Sequence, residues 1–272
     1  MLKTLMLFIL AVALAACSNN GSSSSTTAGD ETTIAGSTAM LPLVKQAAQD
    51  YQAAHPDVKI GVSGGGSRVG LTQAQQKGVT IGDSDIAPGP DQKDLVDHKV
   101  AVVTFAVVAN PAAGVKSLTK KQIADIFSGK ITNWSQAGGK DLKITVINRA
   151  RSSGTRAVFV SAIMNNVQPT NNSLTDDSSG TVVTTTTQTP GAVTYVATSY
   201  LKDKNVVAIA IDGTSPSDSD VESGKYPFWS YEHMVTSGAP SKPAADFIDY
   251  VAKDKALLKQ LGFLPVNAIK TK

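Results

Sequence analysis

From Ile34 onward, short β-rich runs alternate with helical patterns, and this alternation restricts the chain to a layered α/β fold. Residues 58–63, 100–110, 143–149 and 206–211 read as strands. Most are near-continuous apolar runs, the pattern of a sheet with helices on both faces. Between them, Leu43, Ala47 and Tyr51 recur every four residues with Val44 and Ala48 alongside, which predicts a helix. Thr119 and Gln122 have capping-box spacing before a second helix, and Gly129 stands just past its end. Phe247, Ile248, Val251 and Leu258 predict one long helix closing at Gly262. The threonine-rich run 181–190 fits either a strand or a poor helix. At 272 residues the chain is long enough for one large domain or two small ones, with no internal repeat.

Three junctions in this pattern share one chemistry. AGSTAML (35–41), GGGSRVGL (64–71) and SSGTRAVF (152–159) each follow a strand candidate and lead into a helical pattern. The first-turn amides of a helix lack intrahelical partners, and the macrodipole is positive there. Glycine lets an anion approach the backbone, and hydroxyls add donors that pivot to suit. Ser and Thr are also the commonest N-caps, so one such turn alone argues little. Three together, with Arg149 closing a strand beside the third, point to a shared anion site at the strand ends. The planar fork of Arg149 matches oxyanion oxygens. Arg151 and Arg156 read as solvated residues of the helix start.

The segment TIGDSDIAP (80–88) adds a carboxylate, which repels a fully ionised anion but accepts a hydrogen bond from a protonated one. Asp85 therefore separates hydrogen phosphate from sulfate, and such sites reject the analogue lacking the proton by on the order of 10⁴. Asp83 and Asp85 as simple turn caps before Pro88 is the plainer alternative.

The first sixteen residues read as an export signal, with Lys3 ahead of the uncharged apolar run 5–16. That run spans about 18 Å as a helix, too short for a bilayer core. Leu14-Ala15-Ala16-Cys17 resembles the bacterial lipoprotein cleavage signal, so Cys17, the single cysteine, is expected to carry lipid. Residues 18–33 hold no large apolar side chain and read as a flexible leash with a reach of roughly 20 Å. A formal charge of +3 gives no warrant for nucleic-acid binding.

Taken together, these residues resemble the phosphate-binding lipoproteins of bacterial phosphate-uptake ABC transporters, over nearly the whole chain after the signal. AGSTAMLPLV, VSGGGSRVGL, IGDSDIAP and RARSSGTRAVF match the family's ligand segments in order, and residues 118–134 and 190–196 are further landmarks. The resemblance implies an α/β, two-lobed periplasmic-binding-protein-like (type II) fold, with two crossing strands as hinge and phosphate in the interlobe cleft. Lobe one would comprise 34–109 and 214–272, and lobe two 110–213. The implied phosphate ligands are Ser37, Thr38, the Ala39 amide, Ser67, Asp85, Arg149, Ser153, Gly154 and Thr155. The implied partners are inorganic phosphate and the permease and ATPase subunits of the importer. The protein would be a monomer on the outer face of the cytoplasmic membrane, without cofactor or metal. Many relatives pair the ligand arginine with an acid where this chain has Arg151, which leaves the orientation of Arg149 open. Arg68 stands where a small residue is usual and is expected to face solvent.

Rival readings are weaker. Residues 61–65 satisfy G-x-S-x-G and residues 117–120 satisfy S-x-x-K, but a hydrolase needs a base. His55 falls in a loop after a helix, His98 in a charged turn, and His233 in a strand candidate. None has metal-ligand spacing with Cys17. A binding protein for sulfate or molybdate, or an adhesin or sensor on the same fold, stays open at this point.

Overall fold

The computed structural model describes residues 31–269. The export signal, Cys17 and the leash up to residue 30 lie outside these residues. Thr32 and Thr33, assigned to the leash by composition, instead open the first strand. Its backbone finds partners in two neighbouring strands, and that pairing overrides the polar composition.

β1 (Thr32–Gly36), α1 (Leu41–Ala54), β2 (Ile60–Ser63), α2 (Ser67–Gln75) and β3 (Ile81–Ser84) form two strand–helix–strand units, with β1 parallel to β2 and β3. β4 (Leu95–Ala109) leads out of them. Next come β5 (Ser117–Leu118), α3 (Lys120–Phe127), β6 (Thr145–Arg149), α4 (Gly154–Ala162) and β7 (Leu174–Asp176). α5 (Ser179–Gln188), β8 (Ala192–Ala197) and β9 (Val207–Ile211) complete this part. α6 (Asp218–Glu222) precedes β10 (Trp229–Ser237), and α7 (Lys242–Lys253), α8 (Lys255–Gln260) and β11 (Phe263–Leu264) close the described chain. The fold is a mixed α/β, periplasmic-binding-protein-like one. The main strand order is β2-β1-β3-β10-β4-β8-β6-β7.

β4 joins the two wings of this sheet. Its stretch from Leu95 to Thr104 pairs with β10, and its stretch from Phe105 to Ala109 pairs with β8. Every residue from Val100 to Asn110 is buried, which explains the unbroken apolar run. The returning chain crosses beside it: the Phe105 amide donates to the Phe228 carbonyl at 3.0 Å, and the Tyr226 hydroxyl donates to the Phe105 carbonyl at 2.9 Å. Phe105 and Phe228 sit 5.1 Å apart, and Phe228 meets Phe159 of α4 at 5.6 Å. Phe159 stacks on Tyr195 of β8 at 4.0 Å. This aromatic cluster packs the crossing and supports the start of α4 from below.

Several elements differ from the sequence reading. β4 begins at Leu95, so His98 lies in a strand rather than a turn; β10 pairs with this polar end although its residues are not apolar. The threonine-rich run is helical, and Thr184, Thr186 and Thr187 return their hydroxyl protons to carbonyls four residues back, which satisfies them inside the helix. The expected long C-terminal helix is two. Asp254 leaves helical geometry (φ −79°, ψ 80°), and its Oδ1 accepts from the Leu257 amide at 2.9 Å, capping α8. This break turns Leu257 and Leu258 into the core. Asp254→Ala should therefore lower stability by about 1 kcal/mol, measured by urea unfolding; an unchanged midpoint would show that the cap contributes nothing.

Candidate functional site

The three small-residue turns converge. Gly36 ends β1 at φ +147°, and a Cβ there would overlap the Asp83 carbonyl, so the strand turns into α1 only with glycine. Ser37 follows: its Oγ accepts from the amides of Ala39 (3.0 Å) and Met40 (3.3 Å) and donates to Asp85 Oδ1. At the head of α2, Ser67 Oγ accepts the Asp85 amide at 2.9 Å. The Arg68 amide donates across to the Ser152 carbonyl at 3.0 Å. At the head of α4, Ser153 caps the helix by accepting the Arg156 amide at 3.2 Å, and Thr155 Oγ1 donates to Asp85 Oδ2 at 2.7 Å. A Cβ on Gly154 would overlap Ser67 Oγ and crowd Asp85 Cβ, so glycine permits this approach.

Arg149 closes β6 with its side chain fully inside, 1% exposed. Its Nη2 donates to Thr38 Oγ1 and to the Asp177 carbonyl, both at 2.8 Å. Its Nε and Nη1 are buried without a partner. Burial pulls the guanidinium pKa down; the charge of Asp85 opposes this first, followed by Tyr195, Tyr200 and Asp176. Asp176 sits opposite Arg149 in the β6–β7 pairing. Asp176 makes no ion pair with Arg149 and instead accepts the Ser178 amide, so the Asp177 carbonyl and Thr38 orient the fork in place of a paired acid. Arg151 is exposed, and Arg68 is exposed as expected. Arg156 is not simply solvated: it is half-buried and donates to the Arg149 carbonyl at 2.8 Å.

All nine candidate residues, Ser37, Thr38, Ala39, Ser67, Asp85, Arg149, Ser153, Gly154 and Thr155, are buried around one point between the wings. The Ala39 amide and the Ser153 hydroxyl are engaged within their own turns. Thr38, Ser67, Asp85 and Thr155 are brought together across large sequence separations. Asp83 and Asp85 are not turn caps: both are buried, and Asp85 takes hydroxyls from both wings.

Four residues near this point carry no local signal in the sequence. The Asp177 carbonyl, Ser179 and Tyr200 all contact Thr38, and Glu232 of β10 lies buried beside Asp85 and Asp83. A capping pattern before α5 (Ser178 accepting from the Thr181 amide) marks a helix start near 179, but not what it faces. Both Glu232 oxygens lack hydrogen-bond partners, as does Asp83 Oδ1. Burial, then the charges of Asp85 and Asp83, hold the Glu232 carboxyl well above the usual carboxylate range. Burial, then Asp85, does the same for Asp83.

The hydrolase pattern finds no support in the geometry. Ser63 donates to the Ile34 carbonyl, and His233 Nδ1 is engaged by Asp97 Oδ1 at 2.7 Å. Among the described residues no cluster of His, Cys, Asp and Glu could hold a metal ion.

Residues 21–255 match the PBP superfamily domain. The chain is 45% identical to the phosphate-binding protein PstS of Bacillus subtilis over 245 residues, covering 88% of this chain and 81% of that one. It belongs to the PstS family of phosphate-binding proteins. Among solved structures, it resembles a candidate phosphate ABC transporter substrate-binding protein from Clostridium perfringens with bound phosphate (TM-score 0.83, 28% identity, covering 87% of this chain and 100% of that one). An ABC-type phosphate transport receptor from Vibrio cholerae is also similar (TM-score 0.71, 27% identity, 86% and 99% covered). These PstS relatives are binding proteins and not enzymes.

Glu232 gives the site a pH signature. A carboxyl whose folded pKa exceeds its unfolded value binds more protons folded than unfolded. Its stability contribution is intact below the ordinary glutamate range and is lost as pH rises above it. Glu232→Gln should therefore melt above the parent at about pH 8, with the gap closing toward about pH 4, as read by calorimetry. A gap independent of pH would exclude Glu232 as the titrating group.

Proposed function

We propose that this chain captures inorganic phosphate outside the cytoplasmic membrane and delivers it to an ABC-type importer. The observation that carries this reading is two adjoining buried hydrogen-bond pairs, Arg149–Thr38 and Thr155–Asp85, brought side by side because Ser37, which also binds Asp85, precedes Thr38 in the chain. This network combines one guanidinium with two unpartnered buried nitrogens, hydroxyls on pivoting side chains, and the positive ends of α1, α2 and α4. A small tetrahedral anion uses all three kinds of donor.

Asp85 selects among such anions. A carboxylate offers about four lone-pair positions, and the Ser37 and Thr155 hydroxyls use two of them. The rest can accept an O–H from hydrogen phosphate, whereas sulfate has no proton to give. The nine candidate residues are proposed as the ligands, with Ala39 and the head of α4 contributing backbone amides. No bond is made or broken. Residues 34–109 with 214–272, and residues 110–213, act as lobes that meet around the anion, since each supplies part of the network. Phosphate favours their closed arrangement only as far as it binds that form better than the open one.

The closed form is read by permease and ATPase subunits, and the protein acts as a monomer held at the membrane by lipid on Cys17. Among the described residues no helix is long and apolar enough to cross a membrane, and the leash and its cysteine supply the attachment in this reading.

Calorimetric titration of the mature protein with phosphate, sulfate and arsenate tests the ligand directly: phosphate should bind and sulfate should not. Asp85→Asn should let sulfate compete far better, and an unchanged preference would remove Asp85 from the mechanism. Arg149→Ala should weaken phosphate by at least ~1.5–3 kcal/mol, the worth of one charged hydrogen bond. An unaltered affinity would place Arg149 outside the ligand shell.

A further inference from the structure

Thr38 is held from the opposite wing by side chains outside the three turns. The Tyr200 hydroxyl, in the 3₁₀ turn Thr198–Tyr200 after β8, donates to the Thr38 carbonyl at 2.6 Å. Ser179, the first residue of α5, brings its hydroxyl to 3.0 Å from Thr38 Oγ1 and donates its amide to the same oxygen at 3.3 Å. These partners are 162 and 141 residues from Thr38 in sequence. None belongs to the turns around Asp85.

A hydroxyl has two lone pairs and one proton. Arg149 Nη2 and the Ser179 amide occupy both lone pairs of Thr38 Oγ1. The Thr38 hydroxyl is thereby left as a donor only, toward Ser179 Oγ, toward the Asp177 carbonyl at 3.4 Å, or toward an anion. Its backbone carbonyl is meanwhile tied to Tyr200. In the phosphate-capture reading these bonds join two segments that part when the lobes open, so they would be made on closing and lost on opening. Tyr200 keeps its proton throughout, because burial pushes its phenol up to about 12.

We propose that Tyr200 and Ser179 form an interwing latch on Thr38, positioning residues that set how fast bound phosphate is released without touching it. This rests on the phosphate-capture reading above and adds a role for residues outside the proposed ligand set. Losing one neutral hydrogen bond made only in the closed form should accelerate opening roughly three- to tenfold.

Stopped-flow measurement of phosphate association and release on the full mature chain tests this, with Tyr200→Phe and Ser179→Ala compared to the parent. The latch predicts release accelerated roughly three- to tenfold in Tyr200→Phe, with association changed by less than about twofold. The phosphate-free melting temperature should stay at the parental value. Ser179→Ala, the smaller change, should shift release in the same direction even if Tyr200→Phe folds poorly. Parental release rates in both variants, with phosphate binding intact, would overturn the latch alone. Equal changes in both rate constants with a lowered phosphate-free melting temperature would also overturn it, in favour of a purely structural role. A parent chain that took up no phosphate would overturn the underlying reading instead, and the latch with it.

Discussion

The carboxylate of Asp85 is the point on which the arrangement depends. Ser37 reaches it from one wing and Thr155 from the other, while its own amide is fixed by Ser67. Remove that acceptor and the buried hydroxyls of both wings lose their common partner, and an unmade buried bond costs about 1–3 kcal/mol. Arg149 answers the same charge, which offsets part of the cost of burying a guanidinium. In the proposed reading the same group also discriminates among anions.

Around that charge the fold separates tasks. Helix starts provide directional donors, and glycines at 36 and 154 let backbones approach where any side chain would collide. The acids that would otherwise add negative charge, Asp83 and Glu232, are pushed toward their neutral forms by burial and by Asp85 itself. Their negative charge beside Asp85 is thereby disfavoured.

Much of this was legible in the sequence because its signals are local. A strand running into Ser-Thr or Ser-Gly-Thr and then into a helical pattern is written in consecutive residues, as is the Thr119–Gln122 capping box, which is present as read. The resemblance to phosphate-binding lipoproteins rested on such runs. What escaped is non-local or depends on pairing. Tyr200 and Ser179 matter for what lies across the site, and nothing near them in sequence specifies it. The polar start of β4 is a strand because β10 lies beside it, and Thr32 is a strand because β2 does. The break at Asp254 was hidden by apolar spacing that continues through both α7 and α8, whereas an aspartate three residues before Leu257 was a usable cap signal.

The shared strand β4 has a consequence for how the molecule comes apart. Its buried stretch contributes backbone to both wings, so neither can melt alone without stripping partners from the other. Whatever motion the proposed lobes make, this strand ties them into one cooperative unit that denatures as a whole. The amides of residues 100–109 would be the last to exchange with solvent, and a lesion there would be felt equally at both ends of the chain.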